Sequence, residues 1–173
     1  MAIYLDTGNL MEIETYHKMG ILRGVTTNPT ILLKDGVKGG MDGIKKRTEE
    51  IANMIDPLPL SVEVLSNDRA EMIEQAEQFC QWAKNINVKI TIHGPQGETE
   101  NLEVIHELET VKNIRVNVTA MMNAQQCFLA AMAGATWVSI FGGRVNNMGY
   151  NSCDEVAKLR NLLDQFELSS QII

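Results

Sequence analysis

A chain of 173 residues with 45% hydrophobic content is expected to form one domain over residues 1–173, with ample material for a core. Its formal charge of −7 argues against nucleic acid or an anionic membrane as a partner, while a few local cations still suffice for a small anionic substrate. Cys80, Cys127 and Cys153 form no CxxC or Cys/His cluster, no apolar run approaches ~18 residues, and M-A-I-Y-L-D-T lacks a signal-peptide pattern, all of which fits free thiols and a cytoplasmic location.

In chain order the strand candidates are 3–7, 24–28, 60–65, 86–92, 114–119, 136–141 and the final S-S-Q-I-I. Between them, segments 9–19, 43–55, 69–83, 100–109, 123–133 and 153–163 carry apolar residues at helical spacing. Asn9 followed by Glu12 reads as a capped helix start, and Gly134 after A-A-M-A as a helix stop. The Gly-rich G-V-K-G-G-M-D-G at 36–43 fits neither the P-loop nor the dinucleotide fingerprint and reads as a loop. Strict β-then-α alternation implies crossover units and a parallel sheet.

Central strands of an open doubly wound sheet are covered on both faces by helices and read as continuous apolar runs. Here they alternate. Val62 and Val64 oppose Ser61 and Glu63; Val88 and Ile90 oppose Asn87, Lys89 and Thr91; Val116 and Val118 oppose Asn117 and Thr119. One aliphatic face and one polar face, with the polar groups gathered at the C-terminal strand ends, is the pattern of a closed (β/α)8 TIM barrel in the α/β class.

Those ends carry Asp6, Asn28, Glu63, Lys89, Asn117, Thr119 and Ser139, from six strands. Each has a bland explanation: Asp6 and Asn28 suit turn caps, Glu63 could pair with Lys89, and the amides and hydroxyls could satisfy nearby backbone. Six strands agreeing at one end point instead to a site. A lysine kept from water is more easily held as the neutral amine, which can attack a carbonyl and form a Schiff base, an electron sink for C–C cleavage. Such chemistry needs a proton shuttle, for which Asp6 and Glu63 are the carboxylates of the ring, acting through a water held by Thr119. No metal is implied, since the ring offers no histidine and only two scattered carboxylates. His93 falls on the Lys89 side at the rim by the same parity and is a lesser candidate. Beyond the sixth strand, Arg144 in S-I-F-G-G-R suits a phosphate or carboxylate, the two glycines allowing close backbone approach.

L-D-T-G-N at 5–9, G-V-T-T-N-P-T at 24–30, S-V-E-V at 61–64, N-V-K-I at 87–90, N-V-T-A at 117–120 and A-G-A-T-W-V-S-I-F-G-G-R at 133–144 resemble the transaldolase family, specifically its small branch with the bacterial fructose-6-phosphate aldolases. The resemblance spans essentially the whole chain. It implies a barrel and cofactor-free Schiff-base transfer of a dihydroxyacetone unit between sugar phosphates, as in the pentose phosphate pathway, by a homo-oligomer. It implies Lys89 as the Schiff-base lysine, Asp6 as acid/base, and Glu63 and Thr119 as holders of the catalytic water. Thr27, Asn28, Asn117, Ser139 and Phe141 then belong to the substrate site, and Arg144 takes the phosphate. Fructose-6-phosphate aldolases of the branch carry Gln and Tyr where this chain has Glu63 and Phe141, so the resemblance favours transaldolase. Release of free dihydroxyacetone by an aldolase, and a non-catalytic sugar-phosphate-binding remnant, are the alternatives. Thr91, Thr30, Arg23, Asn146 and Asn147 depart from the family pattern without removing any of these groups. A full (β/α)8 barrel takes ~250 residues, with ~200 near the minimum. Six βα units and the start of a seventh strand are read here, so a barrel incomplete at its C-terminus is expected.

Overall fold

The computed structural model describes residues 3–173, so Met1 and Ala2 of the opening segment lie outside the described residues. Among the described residues seven strands alternate with helices, hydrogen-bonded in the order β1-β2-β3-β4-β5-β6-β7. They are β1 (Ile3–Asp6), β2 (Leu22–Thr26), β3 (Leu60–Glu63), β4 (Ile86–Thr91), β5 (Val116–Met121), β6 (Trp137–Ile140) and β7 (Gln171–Ile172). All seven predicted strands form, and the alternation with helices is the (β/α) barrel pattern expected from the sequence. No helix among the described residues is long and apolar enough to cross a membrane.

The chain divides into two compact units, one running up to Leu65 together with Glu74–Val88, the other comprising Ser66–Ile73 and Lys89–Ile173. In the first, β1 pairs in parallel with β2 through Leu5↔Val25 and Asp6↔Thr26, and β2 with β3 through Val25↔Leu60 and Thr26↔Ser61. Asn9 caps α1 (Leu10–Lys18), its side chain accepting from the Met11 and Glu12 amides. A short α2 (Pro29–Lys34) follows β2, starting on the proline that suits a first helical turn. In α3 (Gly40–Ile55) the buried residues Thr48, Ile51, Ala52 and Ile55 repeat at helical spacing and form the inward stripe. The Asn85 amide ties this unit together, donating to the carbonyls of Ala52 at 3.0 Å and Leu58 at 2.9 Å.

The segment 36–43 read as a loop is a loop only to Gly39, because α3 begins at Gly40. Gly39 and Gly40 both have positive φ. A Cβ on Gly43 would stand 1.9 Å from the Lys38 carbonyl oxygen, so that tight entry requires glycine. Here the glycines start a helix rather than merely interrupting the chain.

In the second unit β5 pairs with β6, and β6 with β7 through Trp137↔Gln171 and Val138↔Ile172. Val116, Val118 and Val138 are fully buried, as are Ile105 and Leu108 of α5 (Asn101–Thr110), Cys127 and Ala130 of α6 (Ala124–Met132), and Leu159 and Leu163 of α8 (Ser152–Gln165). Gly134, at φ 107°, ends α6 as its position after A-A-M-A suggests. A second short helix, α7 (Gly142–Asn147), follows β6. The remaining helix, α4 (Arg69–Cys80), has residues in both units.

Candidate active site

Asp6, the last residue of β1, accepts a 2.7 Å hydrogen bond from the Thr26 hydroxyl, which fixes one carboxylate oxygen at the end of its strand. Thr27 is buried and donates its hydroxyl to the Ser61 carbonyl at 3.1 Å, locking β2 onto β3. Asn28 adopts the helix-capping role open to it: its Oδ1 accepts from the Ile31 amide at 2.9 Å. Glu63 is the partly exposed C-terminal residue of β3. All of these lie in the first unit.

One residue there was not singled out from the sequence. Asn87 is fully buried on β4, donates through Nδ2 to the Ser61 hydroxyl at 2.8 Å, and leaves its Oδ1 buried without a hydrogen-bond partner among the described residues. Its parity with Lys89, two residues on along the same strand, was the available signal.

In the second unit, Lys89 is only 5% exposed, an uncommon state for a lysine. The Ile92 amide donates to the Thr119 carbonyl at 2.9 Å, so the end of β4 runs beside Thr119 of β5. Thr119 is buried and its hydroxyl has no hydrogen-bond partner among the described residues, a situation that calls for a physical explanation in any folded protein. Asn117, fully buried on β5, accepts from the Ser139 hydroxyl of β6 at 2.7 Å, so these two candidates meet directly. Arg144 of α7 is exposed and lies over the Phe141 ring, 4.5 Å from its centroid. A guanidinium held on an aromatic face keeps its N–H donors free for an oxyanion.

His93 stands in the loop after β4, exposed, with Nδ1 2.9 Å from the Gly94 carbonyl. That ring is engaged with its own loop. Thr91 donates to the His93 carbonyl and receives the Asn101 amide, tying that loop to the start of α5.

The chemistry legible in the second unit alone is a shielded primary amine, a buried threonine hydroxyl, a paired amide and hydroxyl, and a stacked guanidinium. Within the first unit, by itself, it is a carboxylate fixed by a threonine.

The model of the transaldolase/fructose-6-phosphate aldolase family matches residues 3–173. A probable transaldolase of Clostridium tetani is 38% identical over 173 residues, covering 100% of this chain and 75% of that protein. Probable transaldolase 2 of Listeria monocytogenes is 36% identical over the whole chain and 74% of its own length. Among solved structures, dihydrodipicolinate synthase from Rhodopseudomonas palustris aligns with a TM-score of 0.70 at 12% identity, covering 100% of this chain and 63% of that one. A mandelate racemase/muconate lactonizing protein from Herpetosiphon aurantiacus aligns with a TM-score of 0.59 at 13% identity, over 100% of this chain and 46% of that one. At such identities the structural likeness bears on the fold alone, and it agrees with the barrel class.

Proposed function

Since the chain belongs to the transaldolase/fructose-6-phosphate aldolase family, we propose that Lys89 forms a Schiff base with a ketose phosphate and passes the resulting dihydroxyacetone unit to an acceptor aldehyde. The observation that carries this reading is a lysine shielded from water, Lys89, within N-V-K-I, one of the segments by which the sequence resembles the family. Lysine is seldom buried for structural reasons, and an amine kept from water is the nucleophile that carbonyl condensation needs.

The neutral Lys89 nitrogen adds to the ketone carbon, and the former carbonyl oxygen takes a proton to give a carbinolamine. Protonated again, that hydroxyl leaves as water and an iminium remains. Asp6 takes the proton from the hydroxyl β to the iminium, and the α–β carbon–carbon bond breaks. An aldehyde phosphate departs, and the bond's electron pair rests in the enamine. The enamine carbon then attacks the acceptor aldehyde, Asp6 returns its proton to the new alkoxide, and water hydrolyses the iminium to free Lys89. Glu63 and Thr119 hold the water that enters and leaves. Asn28, Asn117 and Ser139 bind sugar hydroxyls with Thr27 supporting the strand end, and Arg144 takes the phosphate. The direct Asn117–Ser139 bond supports their shared role, since each side chain holds the other in a fixed direction.

Fructose-6-phosphate aldolase is the second reading. Phe141 speaks against it, because a phenyl ring cannot donate the proton that would release the enamine as free dihydroxyacetone. Incubation with fructose 6-phosphate, with and without an acceptor aldehyde phosphate, separates the two. Transfer predicts a new ketose phosphate only when acceptor is present; steady release of dihydroxyacetone without acceptor would contradict it.

A further inference from the structure

β5 and β6 stay in register at Asn117↔Trp137 and Val118↔Val138, then resume at Met121↔Ile140. Three steps on β5 therefore match two on β6, and Thr119 and Ala120 together stand opposite Ser139. This is a β-bulge, a feature uncommon in parallel pairs. Its second residue, Ala120, has φ 63°, a left-handed backbone that glycine adopts readily and alanine resists. Hydrogen bonds pin the chain on both sides: Ile92 N–H to the Thr119 carbonyl at 2.9 Å and Phe141 N–H to the Met121 carbonyl at 2.8 Å.

The extra residue changes which way the strand faces. With simple alternation Met121 would share a face with Asn117 and Thr119; with the bulge it aligns with Ile140 and is fully buried. The polar face of β5 thus ends at Thr119, whose hydroxyl is buried without a partner among the described residues, immediately before the strained residue. Strain of this kind persists where surrounding structure imposes it, and it gathers at functional sites.

We infer that Ala120 is a positioning residue: its left-handed backbone sets the bulge that fixes the direction of the Thr119 hydroxyl. The inference rests on the proposal that Thr119 holds the water consumed and released at Lys89. Asparagine and threonine have nearly equal volumes but opposite tolerance of this backbone, so substituting them separates conformation from bulk. Ala120→Thr is expected to lower kcat by about tenfold or more and Ala120→Asn by less than about threefold, with KM for fructose 6-phosphate unchanged in both. Thr119→Val, which removes the hydroxyl but keeps the shape, is expected to match Ala120→Thr, and the double variant to lose no more than either alone. Equal kcat in the two Ala120 variants, or additive losses in the double variant, overturns the inference. Should Ala120→Thr not fold, Ala120→Ser takes its place. Serine is smaller than asparagine yet tolerates this backbone less well, so it must lose more kcat than Ala120→Asn, and the reverse order overturns the inference. Borohydride trapping on the unsubstituted chain keeps the two levels apart. An adduct at Lys89 with equal variant kcat sinks the role of Ala120 alone, whereas no adduct sinks the underlying reading as well.

Discussion

Glu109 does more structural work than its place in α5 suggests. Its Oε1 accepts from the Val116 and Thr136 amides, each at 2.7 Å, and its Oε2 from the Thr136 hydroxyl at 3.1 Å. One carboxylate thereby holds the entrances of β5 and β6. Glu109→Ala would orphan both amides and is expected to lose roughly 1–3 kcal/mol in chemical denaturation, while Glu109→Gln keeps an oxygen for the amides and an N–H for the hydroxyl. Burial pushes the Glu109 carboxyl above the ordinary carboxylate range, against the lowering by its backbone donors. The folded chain therefore holds that proton more tightly than the unfolded one. This contribution to stability is complete below the ordinary carboxylate range and is lost as pH rises through the raised value. The stability of the native chain relative to Glu109→Gln should fall across that window; a difference that rises with pH would contradict the assignment. Two of the thiols differ in exposure. Burial pushes Cys127 up to about 12, whereas Cys153 is exposed. Iodoacetamide at mildly alkaline pH should alkylate Cys153 in the native chain and spare Cys127, and equal labelling would contradict that environment.

At the scale of elements, the tight entry into α3 yields the sharpest expectation. Gly43→Ala would press a methyl group against the Lys38 carbonyl and force the turn at Gly39–Gly40 to shift. A loss of about 1–3 kcal/mol is expected by urea denaturation, and a melting curve indistinguishable from the native one would contradict it. Most elements were legible because their signals are periodic: alternation in β3 to β6, the i, i+3, i+4 stripe in α3, the Asn9 cap and the Gly134 stop. Helices α2 and α7 were not foreseen, since six residues are too few to show a helical period. The bulge was invisible for another reason. Neither Thr119 nor Ala120 is a residue that announces a left-handed backbone, so the pattern through Thr119 looked like an ordinary strand ending. The polarity of the Lys89 face was readable from parity, but the burial of Asn87 and its bond to Ser61 required coordinates, because a polar residue in an alternating strand reads equally well as solvent-facing.

At the scale of the whole chain, a net charge of −7 sits beside a reading in which the substrates are phosphorylated sugars. On that reading anion recognition rests on few cations held in place, and Arg144, lying over the Phe141 ring, is the one proposed for it. The strand order β1 to β7 and the match of the family model over residues 3–173 agree on a barrel-class chain that covers about three quarters of its transaldolase relatives, 75% in Clostridium tetani. All of the proposed chemistry passes through one nitrogen. Borohydride reduction in the presence of fructose 6-phosphate, followed by peptide mass analysis, tests it most directly. The account predicts a reduced sugar-phosphate adduct on the peptide carrying Lys89, abolished in Lys89→Met; no adduct, or one on a different lysine, would contradict it.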